Sequence, residues 1–138
     1  MLSANLSPSA NDEDKAIILT QYDNPEAHTW YSGVLLELGF ELSDFSLECC
    51  IESLQGIAGA YRIVVHAKML KTLDFHVQGD SFPVAAGERF ELFRSERWTP
   101  SALRHRLNSQ GLEIVSGSES KDDQEGVYEI AKRSQSAE

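Results

Sequence analysis

The stretch of this chain richest in chemically usable side chains is GERFELFRSERW, residues 87–98. Successive residues of a strand point to opposite faces, so Phe90 and Leu92 share one face while Glu91, Phe93, Ser95 and Arg97 share the other. A phenyl ring, a hydroxyl and charges side by side make that second face neither plain core nor ordinary surface.

Other groups invite chemistry less strongly. His66 and His76 fall in strands with no carboxylate or third histidine at ligand spacing, so no metal site is expected. Ser95 with His105 has neither a strained nucleophile elbow nor an orienting acid, which argues against hydrolysis. The glycine-rich QGIAG, residues 55–59, lies inside a hairpin and reads as a β-turn rather than a phosphate cradle. KDDQEG lacks the spaced oxygen ligands of a calcium loop and reads as a solvated hairpin loop. Cys49 and Cys50 are adjacent and point opposite ways in an extended segment, a poor geometry for a mutual disulfide. They read as two small buried hydrophobes of a protein kept in a reducing compartment.

Positioning these residues requires a folded domain, and the composition allows one. The 138 residues are 41% apolar and 25% charged, ordinary for a globular chain. Twenty-two acidic residues against twelve basic ones give a net charge of −10, which repels phosphate backbones and anionic lipid. No nucleic acid or membrane partner is expected, and a cytoplasmic location follows from the lack of a signal-peptide pattern or an apolar span.

Residues 1–11, MLSANLSPSAN, are small and polar with a proline and read as a flexible leader. A helix is expected from about Asp12, capped by Asn11 or Asp12. YDNPE breaks it, and a second helix runs from Pro25 to Leu38 with Trp30, Val34, Leu35 and Leu38 as its apolar stripe, ended by Gly39. CCIESL and AYRIVVHAKMLKTLDFHV form a hairpin. After the FPVAAGE turn comes the strand to Trp98, then a helix with Thr99 as cap, Pro100 at its first position and Gly111 as terminator. LEIVSG and GVYEIAK close the chain as a hairpin. The expected class is α+β: two N-terminal helices, an antiparallel sheet, then a helix and a terminal hairpin. That hairpin has no neighbour in this reading, so it should pair with another chain or a second copy.

Laid out in this order, QYDNPEA, the Gly87–Glu88 strand, WTP and the glycine-ended helix resemble the C-terminal half of the histidine-specific S-adenosylmethionine-dependent methyltransferase family, from about Asp14 to Ile130. That family includes the histidine N-alpha-methyltransferase of ergothioneine biosynthesis and the fungal dimethylallyltryptophan N-methyltransferases. The resemblance implies a substrate-domain-like region over 12–98, and over 99–138 the last helix and hairpin of an incomplete Rossmann-like methyltransferase sheet. It places Tyr22, Val65, Phe93 and Ser95 at substrate-binding positions, for a small amino-acid-like substrate. Phe93 stands where the histidine enzymes carry a glutamate, which favours an aromatic or prenylated acceptor over histidine. From the residues alone, Phe93 and Tyr22 can equally be packing residues. The glycine-rich motif for S-adenosylmethionine is absent, so the implied activity is that of a partial N-methyltransferase, needing a complementary methyltransferase chain to bring the cofactor. A non-catalytic binding module of the same fold is the alternative.

Overall fold

Each helix begins where a side chain can satisfy a free amide. The computed structural model describes residues 1–134. Helix α1, Asp12–Leu19, is capped by Asn11, whose side-chain oxygen accepts from the Asp14 amide at 2.8 Å. Helix α2, Pro25–Glu37, has Asn24 as cap, accepting from the Ala27 amide at 2.9 Å, with Pro25 in its first turn. Helix α3, Pro100–Ser109, repeats the device with Thr99 accepting from the Ala102 amide at 3.2 Å.

The strands are β1 (Leu2–Asn5), β2 (Phe45–Ser53), β3 (Ala60–Met69), β4 (Leu73–Val77), β5 (Asp80–Val84), β6 (Arg89–Trp98), β7 (Leu112–Glu119) and β8 (Glu125–Lys132). They form a three-stranded sheet of order β1-β8-β7, a three-stranded sheet of order β2-β3-β6 and the two-stranded β4-β5 ribbon. The class is therefore α+β with antiparallel pairing. No helix is long and apolar enough to cross a membrane among the described residues.

The chain forms two compact units. One comprises Met1–Ile18, Glu52–Arg62 and the described residues from Ser95 onward; the other comprises Leu19–Ile51 and Ile63–Arg94. Neither is continuous in sequence, and strands β2, β3 and β6 each contribute residues to both.

In the first unit, the segment expected to be a flexible leader is structural. β1 pairs antiparallel with β8, Leu2 opposite Tyr128 and Asn5 opposite Glu125. Leu6 is 0% exposed and packs with Leu103, Tyr128 and Trp98. The buried Ser7 hydroxyl donates to the Ser9 carbonyl and accepts from the Tyr61 hydroxyl at 2.8 Å. Small residues that would suit a loose tail instead give the alternating half-buried edge of a sheet. This also corrects the expectation of an unpaired closing hairpin, because β8 has β1 on one side and β7 on the other. Within that sheet the Tyr128 ring lies against Gly117 and Gly126, where an added Cβ would come within 2.6 Å of it. Burial, then the hydrogen bond to Glu119, push the Tyr128 phenol up to about 12.

In the second unit, the core gathers Leu35, Phe40, Phe45, Ala67, Met69 and Val84, with Phe40 stacked on Phe75 at 4.8 Å. The run expected as one strand through Val77 breaks after Met69. β4 turns into β5 through Gln78 and Gly79, whose φ angles of 50° and 85° are those of a two-residue primed turn. Helix α2 also lies differently from its expected stripe. It buries Tyr31, Ser32 and Leu35, leaving Trp30, Val34 and Leu38 exposed.

Asp44 ends a 3-10 turn, Leu42–Asp44, and ties it down: its carboxylate accepts from the Glu41 amide at 2.8 Å and lies 3.1 Å from Lys71 Nζ. These contacts, the amide bond foremost, hold the carboxyl below its ordinary value.

Two measurements check these assignments. Leu6→Ala should lower the unfolding free energy by about 3 kcal/mol, as for other buried leucines, whereas a loose leader would leave it unchanged. For Asp44, a folded pKa below the unfolded one means its stabilisation is present above the ordinary carboxylate range and is lost as pH falls through the lowered value. Asp44→Asn should therefore destabilise the protein at neutral pH and less so in acid; an equal loss at both pH values would rule this out.

Candidate functional site around Phe93

The turn between α1 and α2 is fixed by backbone and side chain together. The amides of Tyr22 and Asp23 both donate to the Leu19 carbonyl, at 3.0 and 2.9 Å. The Asn24 side-chain amide donates to the carbonyls of Thr20 and Gln21 while its oxygen caps α2. With the turn held, Tyr22 sits ahead of the helix, and Trp30 and Tyr31 lie on its second turn.

These rings converge on Phe93 of β6. Ring centroids lie 5.6 Å from Tyr22, 5.9 Å from Tyr31 and 6.3 Å from Trp30, the last edge-on at 79°. Trp30 and Tyr31 touch each other at 5.6 Å. Each such pair adds about 0.5–1.5 kcal/mol beyond burial. Tyr31 is buried, Tyr22 and Phe93 are half-buried, and Trp30 is 66% exposed, so the cluster is packed inside and open at one end.

Polar groups adjoin the rings. His28, on the first turn of α2, has Nε2 2.6 Å from the Asp23 carboxylate. The Cys49 thiol donates to the Tyr22 carbonyl at 3.7 Å. Burial, then the neighbouring Asp23 carboxylate, push the Cys49 thiol up to about 11; burial foremost also raises the Tyr31 phenol. The ligand atoms of Asp23, His28 and Cys49 all lie within 4.8 Å of one another.

The four residues expected at a substrate site are therefore divided. Tyr22 and Phe93 meet directly. Val65 is 0% exposed in the same unit. Ser95 belongs to the other unit, where it is buried and its hydroxyl accepts from the Asn5 side chain at 3.4 Å. Two clefts are lined by other residues. One, about 680 Å³, is bounded by Gly56–Gly59, Thr99 and His105; the other, about 380 Å³ and apolar, by Val34, Leu38, Phe75, Phe82 and Phe90.

A methyl donor of the adenosylmethionine type needs a glycine-bearing turn from strand to helix, with amides free to face it. Among the described residues, β1–α1 and β6–α3 are the strand-to-helix connections, and neither contains glycine. Leu6 and Ser7 fill the first, while in the second Thr99 already accepts from Ala102 and carries Pro100 behind it. The nearby Gly59 is needed for packing, since an added Cβ would meet Thr99 Oγ1 at 2.7 Å. The described residues do not fit S-adenosylmethionine.

Sequence reasoning did not single out Tyr31, Asp23, His28 or Cys49 for a site. Their joining depends on the α1–α2 turn meeting β2, where Cys49 stands twenty-one residues beyond His28. No model of a known protein family matches the chain, and no curated protein does. What fold and site define is an α+β protein with an aromatic cluster next to a Cys, His and Asp group.

Phe93→Ala removes three ring contacts at once. It should cost about 2 kcal/mol of stability, below the range for fully buried phenylalanine, and weaken the near-ultraviolet dichroism. Phe93→Tyr should retain both; an unaffected Phe93→Ala protein would mean the rings contribute no packing.

Proposed function

We propose that the chain is the acceptor-binding half of an S-adenosylmethionine-dependent N-methyltransferase of the histidine-specific kind, catalytic only with a complementary chain that binds the methyl donor. The observation that carries this reading is the meeting of Tyr22 and Phe93, two of the positions implied by the resemblance, in one aromatic cluster with an exposed tryptophan. A phenyl ring where histidine enzymes carry a carboxylate offers stacking and no hydrogen bond, so the acceptor is an aromatic amino acid or related amine rather than histidine. Its ammonium group is attracted both to ring faces and to the acidic protein as a whole. Methyl transfer to an amine asks the protein chiefly for alignment, which an acceptor seat alone cannot provide.

The glycine-free connections favour a second reading, a binding module that keeps the acceptor seat and carries out no chemistry. Titrating L-tryptophan and L-histidine into the purified chain tests both. Saturable tryptophan binding, at least about tenfold tighter than histidine and lost in Phe93→Ala but kept in Phe93→Tyr, supports the acceptor seat. Absence of saturable binding, or equal binding by the Phe93→Ala protein, overturns it. S-adenosylmethionine should give no saturable heat with the lone chain. Methylation of tryptophan on adding the product of an adjacent reading frame separates the enzyme half from the binding module.

A further inference from the structure

The Asp23, His28 and Cys49 group presents three different metal-binding atoms from a turn, a helix start and a strand. Its members come from separated stretches, yet their ligand atoms lie within 4.8 Å of one another. In a tetrahedral zinc site with metal–ligand distances of about 2.0–2.3 Å, neighbouring ligands sit roughly 3–4 Å apart, so only small shifts are needed, the Asp23–His28 pair opening from 2.6 Å. We propose that Asp23, His28 and Cys49 form a binding site for a thiophilic divalent cation, Zn²⁺ above all, with one carboxylate oxygen, one imidazole nitrogen and one thiolate sulfur as ligands.

Independent features fit this assignment. The side chains of His28 and Asp23 are 38% and 45% exposed, so an ion can enter from solvent, while half-buried Cys49 forms the floor. The turn is already braced by the Asn24 cap and by the Leu19 carbonyl, so little ordering remains when the ion arrives. A nitrogen, oxygen and sulfur set selects zinc and its thiophilic neighbours over magnesium or calcium. The competing use of the same residues, a cysteine nucleophile with a histidine base, needs a thiolate. Here the thiol donates to the Tyr22 carbonyl while the His28 imidazole faces the Asp23 carboxylate at 2.6 Å, so imidazole and thiol are not paired as base and nucleophile.

Two protons move on binding. The Cys49 S–H bond breaks, its proton passes to solvent, and the sulfur electron pair forms the S–Zn bond; the proton on His28 Nε2, held 2.6 Å from the Asp23 carboxylate, leaves through solvent while Nδ1 takes one up, so the Nε2 and carboxylate lone pairs both turn to the ion. Three protein ligands leave the fourth tetrahedral position to water or an incoming ligand. This inference does not depend on the acceptor seat, because none of the three residues supplies a ring to the cluster.

The test uses the full-length chain, reduced and freed of metal, titrated with Co²⁺ and then with Zn²⁺ against a chromophoric chelator. One Co²⁺ per chain with a thiolate-to-cobalt charge-transfer band in the near ultraviolet, displaced by Zn²⁺, is expected. Cys49→Ser should abolish the band, and His28→Gln and Asp23→Asn should each weaken Zn²⁺ binding at least about tenfold. Cys50→Ser should leave band and affinity unchanged. The proposal fails if the wild-type chain binds no Zn²⁺ tighter than about 100 μM. It also fails if the band survives in Cys49→Ser or disappears in Cys50→Ser with the fold intact by far-ultraviolet dichroism. Because the His28 side chain is partly exposed, His28→Gln keeps the question answerable should Cys49→Ser not fold.

Discussion

A buried guanidinium organises the first unit. Arg97, on the face of β6 that reads as an oddity in sequence, donates from one terminal nitrogen to the carbonyls of Leu6 at 3.0 Å and Gln124 at 2.9 Å. Those carbonyls belong to the segment after β1 and to the loop between β7 and β8, so one side chain joins three stretches far apart in sequence. Backbone bonds reinforce it, Ser7 amide to Trp98 carbonyl and Leu6 amide to Gln124 carbonyl. A hydrogen bond with a charged donor contributes about 1.5–3 kcal/mol, and losing the donor would take it from the buried Leu6 carbonyl while the Gln124 carbonyl kept the Leu6 amide. The same stretch carries the buried Leu6 and lies directly after the β1 ladder with β8.

The same strand serves a different end further back. Phe93, four residues before Arg97 and on the same face, gathers aromatic rings where Arg97 gathers carbonyls. The period of two thus puts a stacking group, a buried hydroxyl and a buried cation in a row, each answered by its own surroundings. Around Phe93 the answer is aromatic and acidic together: a thiol, an imidazole and a carboxylate crowd the edge of a ring cluster in a protein already carrying excess negative charge.

Local chemistry in the sequence foretold the helices well. Asn11, Asn24 with Pro25, and Thr99 with Pro100 cap as their residue types require, and Gly39 and Gly111 adopt positive φ where the helices end. The strand to Trp98 was equally legible from its alternation. LSAN was not, because small polar residues carry no strong strand preference and only pairing with β8 makes them one. The α2 stripe misled because Leu35 belongs to both the inward and outward apolar sets, and packing of Tyr31 and Ser32 decided between them. Of the aromatic cluster, Phe93 stands out through the mixed face of its strand, whereas the Asp23, His28 and Cys49 group leaves no signal in the sequence. Metal spacing rules describe ligands close in sequence, and this one is assembled by tertiary structure.

Pairing of β1 with β8 sets an order on biosynthesis. A ribosome releases β1 more than a hundred residues ahead of its sheet partner, so that edge must wait unpaired while translation proceeds. The segments Leu19–Ile51 and Ile63–Arg94, which form a compact unit, leave the exit tunnel much earlier. Nascent molecules therefore expose an unmatched β1 for several seconds at about 5–20 residues per second, an interval in which a holdase chaperone would have its best opportunity to engage them.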